Sequence, residues 1–269
     1  MPLSEPDLQA VLAAVSASRK YRDVCADTVR RIAARELARR AGVKEAVKAT
    51  KRRLHQVYAA FEQDWDSEAA YKDLAAAWAR GEDERRAACR AVLARHSSTR
   101  ERLPILERFY AALWRAAGRP PSRVLDLGCG LNPLAWPWMD LAPSTEYVAL
   151  DIDCRRVGFV NRFLALAGLA PLARCQDVLA RPPADRADVA LLLKMSPSLE
   201  RQEEGATLRL VQELQAPCVV VSFAVTSLTG RRKGMEEQYG GQFVSLARGQ
   251  RWQVTELRFE GELAFVVQR

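Results

Sequence analysis

The chain has 269 residues, enough for one large domain or two modest ones with most of the apolar surface buried. It carries 41 Lys+Arg against 33 Asp+Glu, a net charge of +8, and it contains no apolar run near the roughly 18–20 residues of a membrane span. The opening Met1-Pro2-Leu3-Ser4-Glu5-Pro6-Asp7 has acids where a signal peptide needs cations, so the chain reads as cytoplasmic. Cysteines at positions 25, 89, 129, 154, 175 and 218 include no C-x-x-C pair. That fits reduced thiols and argues against zinc, any other metal site or a disulfide framework.

The first half reads as helices. Leu8, Val11, Leu12 and Val15 recur at helical spacing behind Ser4, a plausible N-cap. Asp27 can cap a second helix through Val29, Ile32 and Leu37, which Gly42 ends. A third runs from Val43 to about Phe61, with Lys44, Lys48, Lys51 and Arg52 together on one face because i, i+4, i+7 and i+8 align. With Arg30, Arg31, Arg35, Arg39 and Arg40 these form a broad basic surface of the kind that phosphate contacts need. A solvated, Arg-rich helical surface is the alternative. Two further helices cover about Glu68–Arg80 and Asp83–Ala94.

Arg119-Pro120-Pro121-Ser122 marks a boundary. Residues 1–122 hold 24 Lys+Arg and 16 Asp+Glu, whereas residues 123–269 hold 17 of each. A neutral half behind a basic half points to a polyanionic partner for the basic half. After the boundary, strands alternate with helices: Arg123–Leu127, Tyr147–Asp151, Leu172–Cys175, Val189–Leu193 and Cys218–Phe223, then Gln253–Phe259 and Leu263–Gln268 as a hairpin around Gly261. This predicts a mostly parallel sheet covered on both faces, of Rossmann-like α/β class, preceded by a helical subdomain.

The first strand runs into Asp126-Leu127-Gly128-Cys129-Gly130-Leu131-Asn132-Pro133. Gly128 and Gly130 let the backbone pass close to a ligand. The dinucleotide fingerprint needs a third glycine where Pro133 stands, so this is not a nicotinamide loop. D-x-G-x-G-x-x-P is the pattern of class I S-adenosylmethionine methyltransferases; an ordinary glycine turn is the alternative. Asp151 follows Gly130 by 21 residues at the end of the second strand, where a carboxylate can accept from both ribose hydroxyls. Gln176 and Asp177 follow the third strand, and an acid there can accept from an adenine amine. Lys194 ends the buried strand Ala190–Leu193, at the edge where open α/β sheets bind ligands; a snorkelling lysine is the alternative. Cys129 reads as packing.

At these residues the chain resembles the bacterial 16S rRNA (guanine-N7) methyltransferases that give aminoglycoside resistance. The matching blocks are Ser18-Arg19-Lys20-Tyr21-Arg22, the stretch from Cys25 to Ile32, Arg53-Leu54-His55, the segment His96-Ser97-Ser98-Thr99-Arg100-Glu101-Arg102-Leu103, and Gly130-Leu131-Asn132-Pro133. Ser222-Phe223, the run from Ser227 to Met235, and Gly261-Glu262-Leu263 complete the set. The resemblance implies methylation of N7 of a decoding-site guanine in the 30S subunit, and resistance to 4,6-disubstituted deoxystreptamine aminoglycosides. It implies that Arg100 meets the carboxylate of S-adenosylmethionine, although Ser98-x-x-Glu101 is also a capping box. Lys194, Arg231 and Glu262 would form the catalytic, target-side group, with Arg232 and Lys233 on the RNA. The expected partner is the 30S subunit, met by a monomer. Methylation of another rRNA base such as adenine N1, a small-molecule methyltransferase and a catalytically silent 30S-binding protein stay open. Pro104 departs from the expected continuation of a helix.

Overall fold

The structure is a computed structural model that describes residues 4–59, 66–225 and 249–269, with Gly241, Phe243, Ser245 and Ala247 between the last two. Seven strands form one sheet in the order β3-β2-β1-β4-β5-β7-β6. They are β1 (Arg123–Leu127), β2 (Glu146–Asp151), β3 (Ala173–Cys175), β4 (Val189–Leu193), β5 (Cys218–Ala224), β6 (Gln253–Phe259) and β7 (Glu262–Gln268). β1 to β5 are parallel, and β7 lies antiparallel between β5 and β6. Strands β1, β4 and β5 are near-continuous apolar runs because helices cover both faces. The edge strand β6 is instead half-exposed and charged, which discourages pairing with a further chain.

On one face, α4 (Ser67–Trp78), α5 (Glu82–Leu93), α7 (Leu106–Ala117) and α8 (Cys154–Leu166) share a core with the sheet. Leu74, Cys89, Leu93, Phe109 and Phe163 there meet Val124, Tyr147, Val220 and Val266. α9 (Ser196–Gln202) and α10 (Ala206–Glu213) cover the other face. A third core belongs to α1 (Glu5–Ser16), α2 (Ala26–Leu37) and α3 (Val43–Leu54), built on Leu8, Val11, Val15, Val29, Ile32, Ala46 and Leu54. This three-helix unit is pinned to the sheet at the end of β2: the Cys25 N–H donates to the Ile152 carbonyl at 2.8 Å, and the Cys154 N–H to the Asp23 carbonyl at 2.9 Å. Among the described residues, no helix is long and apolar enough to cross a membrane.

Local details differ from the sequence expectation. α2 starts after Cys25, with Asp27 inside its first turn rather than at its cap. Gly42 has extended backbone and precedes α3; it does not close α2, which ends at Leu37. α3 stops at Leu54 and widens into a π-helical turn, His55–Ala59, that directs Val57 and Tyr58 toward the sheet; Phe61 lies outside the described residues. α6 (Ser97–Arg102) gives way to a 3-10 turn at Leu103–Ile105 before α7, since Pro104 lacks the N–H that a continuous helix requires.

Two corrections are larger. The arginines of α2 and of the turn after it do not form one outer surface: Arg31 and Arg35 turn to the sheet side, onto Asp177 and Gln202, while Arg30 pairs with Glu5 and Arg40 with Glu36. And two of the six cysteines, expected reduced, are joined: Cys154 and Cys175 form a disulfide with Cα atoms 5.0 Å apart. The parallel register aligns Asp151 with Cys175, and α8 begins three residues after Asp151, so strands rather than sequence spacing bring the sulfurs together.

Phe109 has no exposed surface and packs edge-on to Tyr110, against Phe259 of the edge strand, and under the Arg102 guanidinium at 4.7 Å. Phe109→Ala is expected to lower the unfolding free energy by about 3–5 kcal/mol in denaturant titrations.

Candidate active site

β1 ends in a turn whose two glycines hold left-handed backbone, φ +59° at Gly128 and +53° at Gly130. A Cβ on Gly128 would lie 2.9 Å from the Met195 sulfur, and one on Gly130 3.4 Å from the His96 ring. Side chains would therefore fill the space above the turn. The Gly130 N–H donates to the Asp151 carboxylate at 2.8 Å, and the Cys129 N–H to the Leu150 carbonyl at 2.9 Å, so the turn is fastened to the end of β2. Cys129 is buried and its thiol is pushed well up by burial, as packing requires.

A pocket opens along the carboxyl ends of β1 to β4. Gly128, Gly130, Asp151, Gln176, Asp177 and Lys194 all line it. Ile152, Val178, Leu179 and Leu199 form an apolar shelf between the carboxylates. The open glycine turn, the carboxylate ending β2 and this shelf fit the ribose and base of a nucleoside cofactor. Asp177 is already engaged: one oxygen accepts from the Leu179 and Ala180 N–H groups at 2.8 and 3.2 Å, the other from Arg31 at 2.8 and 3.0 Å. Arg100 is exposed on α6 and does not line the pocket.

Thr28, Arg31, Val57 and Tyr58 of the N-terminal unit also line the pocket, and sequence reasoning missed them. Their signal was weak, since nothing local in a helix marks it as the wall of a distant site. His96 was missed as well. It is buried against Gly130, pairs with the Ser98 hydroxyl at 2.8 Å, and burial pushes its pKa down to about 4, leaving a neutral ring. The expected capping box is absent: α6 starts at Ser97 with no side-chain cap, and Glu101 turns to Lys194.

Behind the pocket lies a buried polar network. Lys194 has left-handed backbone, φ +59°, with its N–H held by the Ser222 carbonyl at 3.0 Å. Its ammonium spends its donors on the Ser98 carbonyl (3.2 Å), Glu101 (2.9 Å) and Glu262 (3.3 Å). Glu262 is 1% exposed and lies off the pocket wall, taking Arg102 at 2.7 Å and the Ser222 hydroxyl at 2.6 Å. Burial pushes the Glu262 carboxyl up, but the Arg102 and Lys194 charges outweigh it and hold the group below its ordinary value. Arg102 also donates to Asn132, whose side chain accepts from Tyr110 and donates to Asp126 at 3.0 Å; the Tyr147 hydroxyl meets the same Asp126 oxygen at 2.8 Å. Lys194 and Glu262, expected together, are thus in contact. Arg231, Arg232 and Lys233 lie outside the described residues.

Trp136 and Trp138, aromatic without obvious purpose in the sequence, are packing: Trp136 stands edge-on to Tyr147, and the Trp138 indole donates to Glu107 at 2.9 Å.

A 3-2-1-4-5-7-6 sheet with a glycine turn after β1 and a carboxylate ending β2 defines a class I S-adenosylmethionine-dependent methyltransferase. A family model for "Ribosomal RNA methyltransferase (FmrO)" matches residues 17–266, and the chain belongs to that family. It is 41% identical to a 16S rRNA (guanine(1405)-N(7))-methyltransferase of Micromonospora echinospora over 100% of both chains. A Serratia marcescens enzyme of the same name is 37% identical over 88% of each. Among solved structures, the 16S rRNA methyltransferase RmtF in complex with S-adenosyl-L-homocysteine superposes with a TM-score of 0.82 at 34% identity, covering 99% of each chain. The 16S rRNA methylase RmtB gives 0.79 at 30% identity, covering 100% of each.

Burial pushes the Asp126 carboxyl up to about 6, against the hydrogen bonds from Asn132 and Tyr147 that favour its charge. A folded pKa above the ordinary aspartate value of 3.8 means that folding favours the protonated acid. Its contribution to stability is full below about pH 4 and is lost as pH rises through about 6. Asp126→Asn, whose amide oxygen can keep both hydrogen bonds, is expected to flatten the fall in unfolding free energy across that interval, read by denaturant titration at a series of pH values.

Proposed function

We propose that this chain methylates N7 of a decoding-site guanine in 16S rRNA within the 30S subunit, using S-adenosylmethionine, and so gives resistance to 4,6-disubstituted deoxystreptamine aminoglycosides. The observation that carries this reading is full-length similarity, at 41% identity, to an enzyme of that name, in a chain whose pocket fits a nucleoside cofactor. The enzyme acts as a cytoplasmic monomer. Of residues 1–122, expected as a docking subdomain, α1 to α3 have their own core and carry the docking face, whereas α4, α5 and α7 pack on the sheet of the methyltransferase domain, 123–269.

When bound, S-adenosylmethionine supplies a methyl group already activated by its sulfonium. Gly128 and Gly130 would give the cofactor close access to the backbone, Asp151 would hold the ribose hydroxyls, and Gln176 and Asp177 would line the adenine edge. The resemblance assigns the cofactor carboxylate to Arg100, which is exposed on α6. Guanine N7 has a free lone pair and no proton to lose, so no general base is needed. What remains is alignment, which can contribute roughly 7–11 kcal/mol. Lys194 and Glu262 serve this by fixing α6 against the ends of β4 and β7, and Arg231 meets the N7/O6 edge, two acceptors that suit a guanidinium.

N7 faces the deep, narrow groove of an A-form helix, so the target must be splayed from its stack at a cost of roughly a few kcal/mol. Binding to folded RNA meets that cost. Lys44, Lys48 and Arg52 are exposed along α3, Lys51 is half-buried beside them, and none of the four joins an ion pair among the described residues. Arg232 and Lys233, which follow β5 in the chain, add RNA contacts.

The test is transfer of labelled methyl to 30S subunits, naked 16S RNA and 50S subunits, with the product mapped by cleavage at 7-methylguanosine. Label confined to 30S with one decoding-site guanine cleaved is expected; label without that cleavage would move the acceptor atom. Reversing Lys48, Lys51 and Arg52 to Glu is expected to abolish 30S binding in sedimentation while leaving S-adenosylhomocysteine affinity unchanged. Undiminished 30S binding in that variant would remove α3 from the docking face.

A further inference from the structure

We propose that Cys154 and Cys175 are a reversible thiol–disulfide site that sets the affinity of the cofactor pocket. The inference rests on reading that pocket as the S-adenosylmethionine site. Cys175 ends β3 and leads directly into Gln176 and Asp177, both on the pocket wall. Cys154 opens α8, three residues after Asp151 and two after Ile152, also on the wall. The bond between them therefore ties the ribose edge of the pocket to its adenine edge. Through the Cys154 N–H on the Asp23 carbonyl, the same turn holds the start of α2, whose Arg31 grips Asp177.

The pair is also where thiol chemistry can reach the molecule. Cys154 is exposed and Cys175 half-buried, whereas Cys25, Cys89, Cys129 and Cys218 are buried. Burial pushes the thiols of Cys89 and Cys218 up to about 12 and about 11, which keeps them unreactive. Cys154 opens a 13-residue helix, whose dipole presents its positive end to the sulfur. In a reducing compartment a disulfide persists only transiently, which suits a sensing site and not a structural staple.

The step balances with a low-molecular-weight disulfide as oxidant. The Cys154 thiolate attacks one of its sulfurs, breaking that S–S bond and releasing one small thiol. The Cys175 thiolate then attacks the Cys154 sulfur, forming the protein disulfide and releasing the second small thiol. Two electrons pass from the cysteine sulfurs to the small disulfide, and the two cysteine protons end on the two released thiols.

The test uses the full chain equilibrated with oxidised or reduced glutathione. Thiols are counted by mass after native alkylation, and S-adenosylhomocysteine is titrated by calorimetry into each form. The oxidised form is expected to lose two alkylatable thiols and to bind about fivefold or more tightly, because the cross-link removes freedom from the pocket rim. Cys154→Ser and Cys175→Ser should each show the weaker affinity under both conditions. Equal affinity in the two forms, or two thiols that stay alkylatable in the oxidant, would overturn the proposal. Binding in neither form would overturn the cofactor reading and this inference with it.

Discussion

The buried pair of Arg102 and Glu262 is the constraint around which the site is organised. Each is almost fully enclosed, 2% and 1% exposed, and an ion taken from water costs several kcal/mol unless its hydrogen-bonding capacity is met. Arg102 meets that demand only by reaching three elements at once: Glu262 at the start of β7, Asn132 just after the glycine turn, and the ring of Phe109 on α7. Glu262 in turn takes the hydroxyl of Ser222 from β5 and the ammonium of Lys194 from the end of β4. A helix and three strand ends are thereby held in one arrangement, and the left-handed backbone of Lys194, which costs of order 1–3 kcal/mol in a residue with a side chain, is sustained by it.

The cofactor turn inherits its geometry from this network. Asn132 lies two residues past Gly130 and is held from both sides, by Arg102 and Tyr110 on its oxygen and by Asp126 on its nitrogen. Asp126 is the acid of the D-x-G-x-G motif, yet it does not face the pocket; it is buried beneath the turn, bonded to Tyr147 on the neighbouring strand. The motif thus combines two tasks, glycines that admit a ligand and an acid that fixes the floor.

All seven strands were legible in the sequence because their signals are local. β4 is an unbroken apolar run between turn residues, β1 and β5 are interrupted only by Asp126 and Ser222 within theirs, and Gly261, at φ +79°, separates the last two strands. The carboxylates at strand ends were legible for the same reason, since the carboxyl edge of a parallel sheet is where ligands sit. What could not be read depends on contacts between distant segments. Glu101 carries the capping-box signature but is drawn to Lys194, 93 residues away. Arg31 belongs by pattern to the basic surface of a helix and is drawn to Asp177 instead. Cys154 and Cys175 meet only because β2 and β3 pair in one particular register. In each case a local preference worth a few tenths of a kcal/mol to about 1 kcal/mol yields to a buried or charge-assisted contact worth more.

The pocket is walled partly by Thr28, Arg31, Val57 and Tyr58, none of which belongs to the sheet. The sheet-side wall is made from parts that many methyltransferases share: a glycine turn, strand-end carboxylates and an apolar shelf. The helical wall is particular to chains with this N-terminal unit. A small molecule anchored on Asp151 and extended toward the Arg31 guanidinium and the Tyr58 ring would draw its selectivity from that second wall. Inhibitor design against this chain therefore has a foothold that cofactor mimicry alone does not provide.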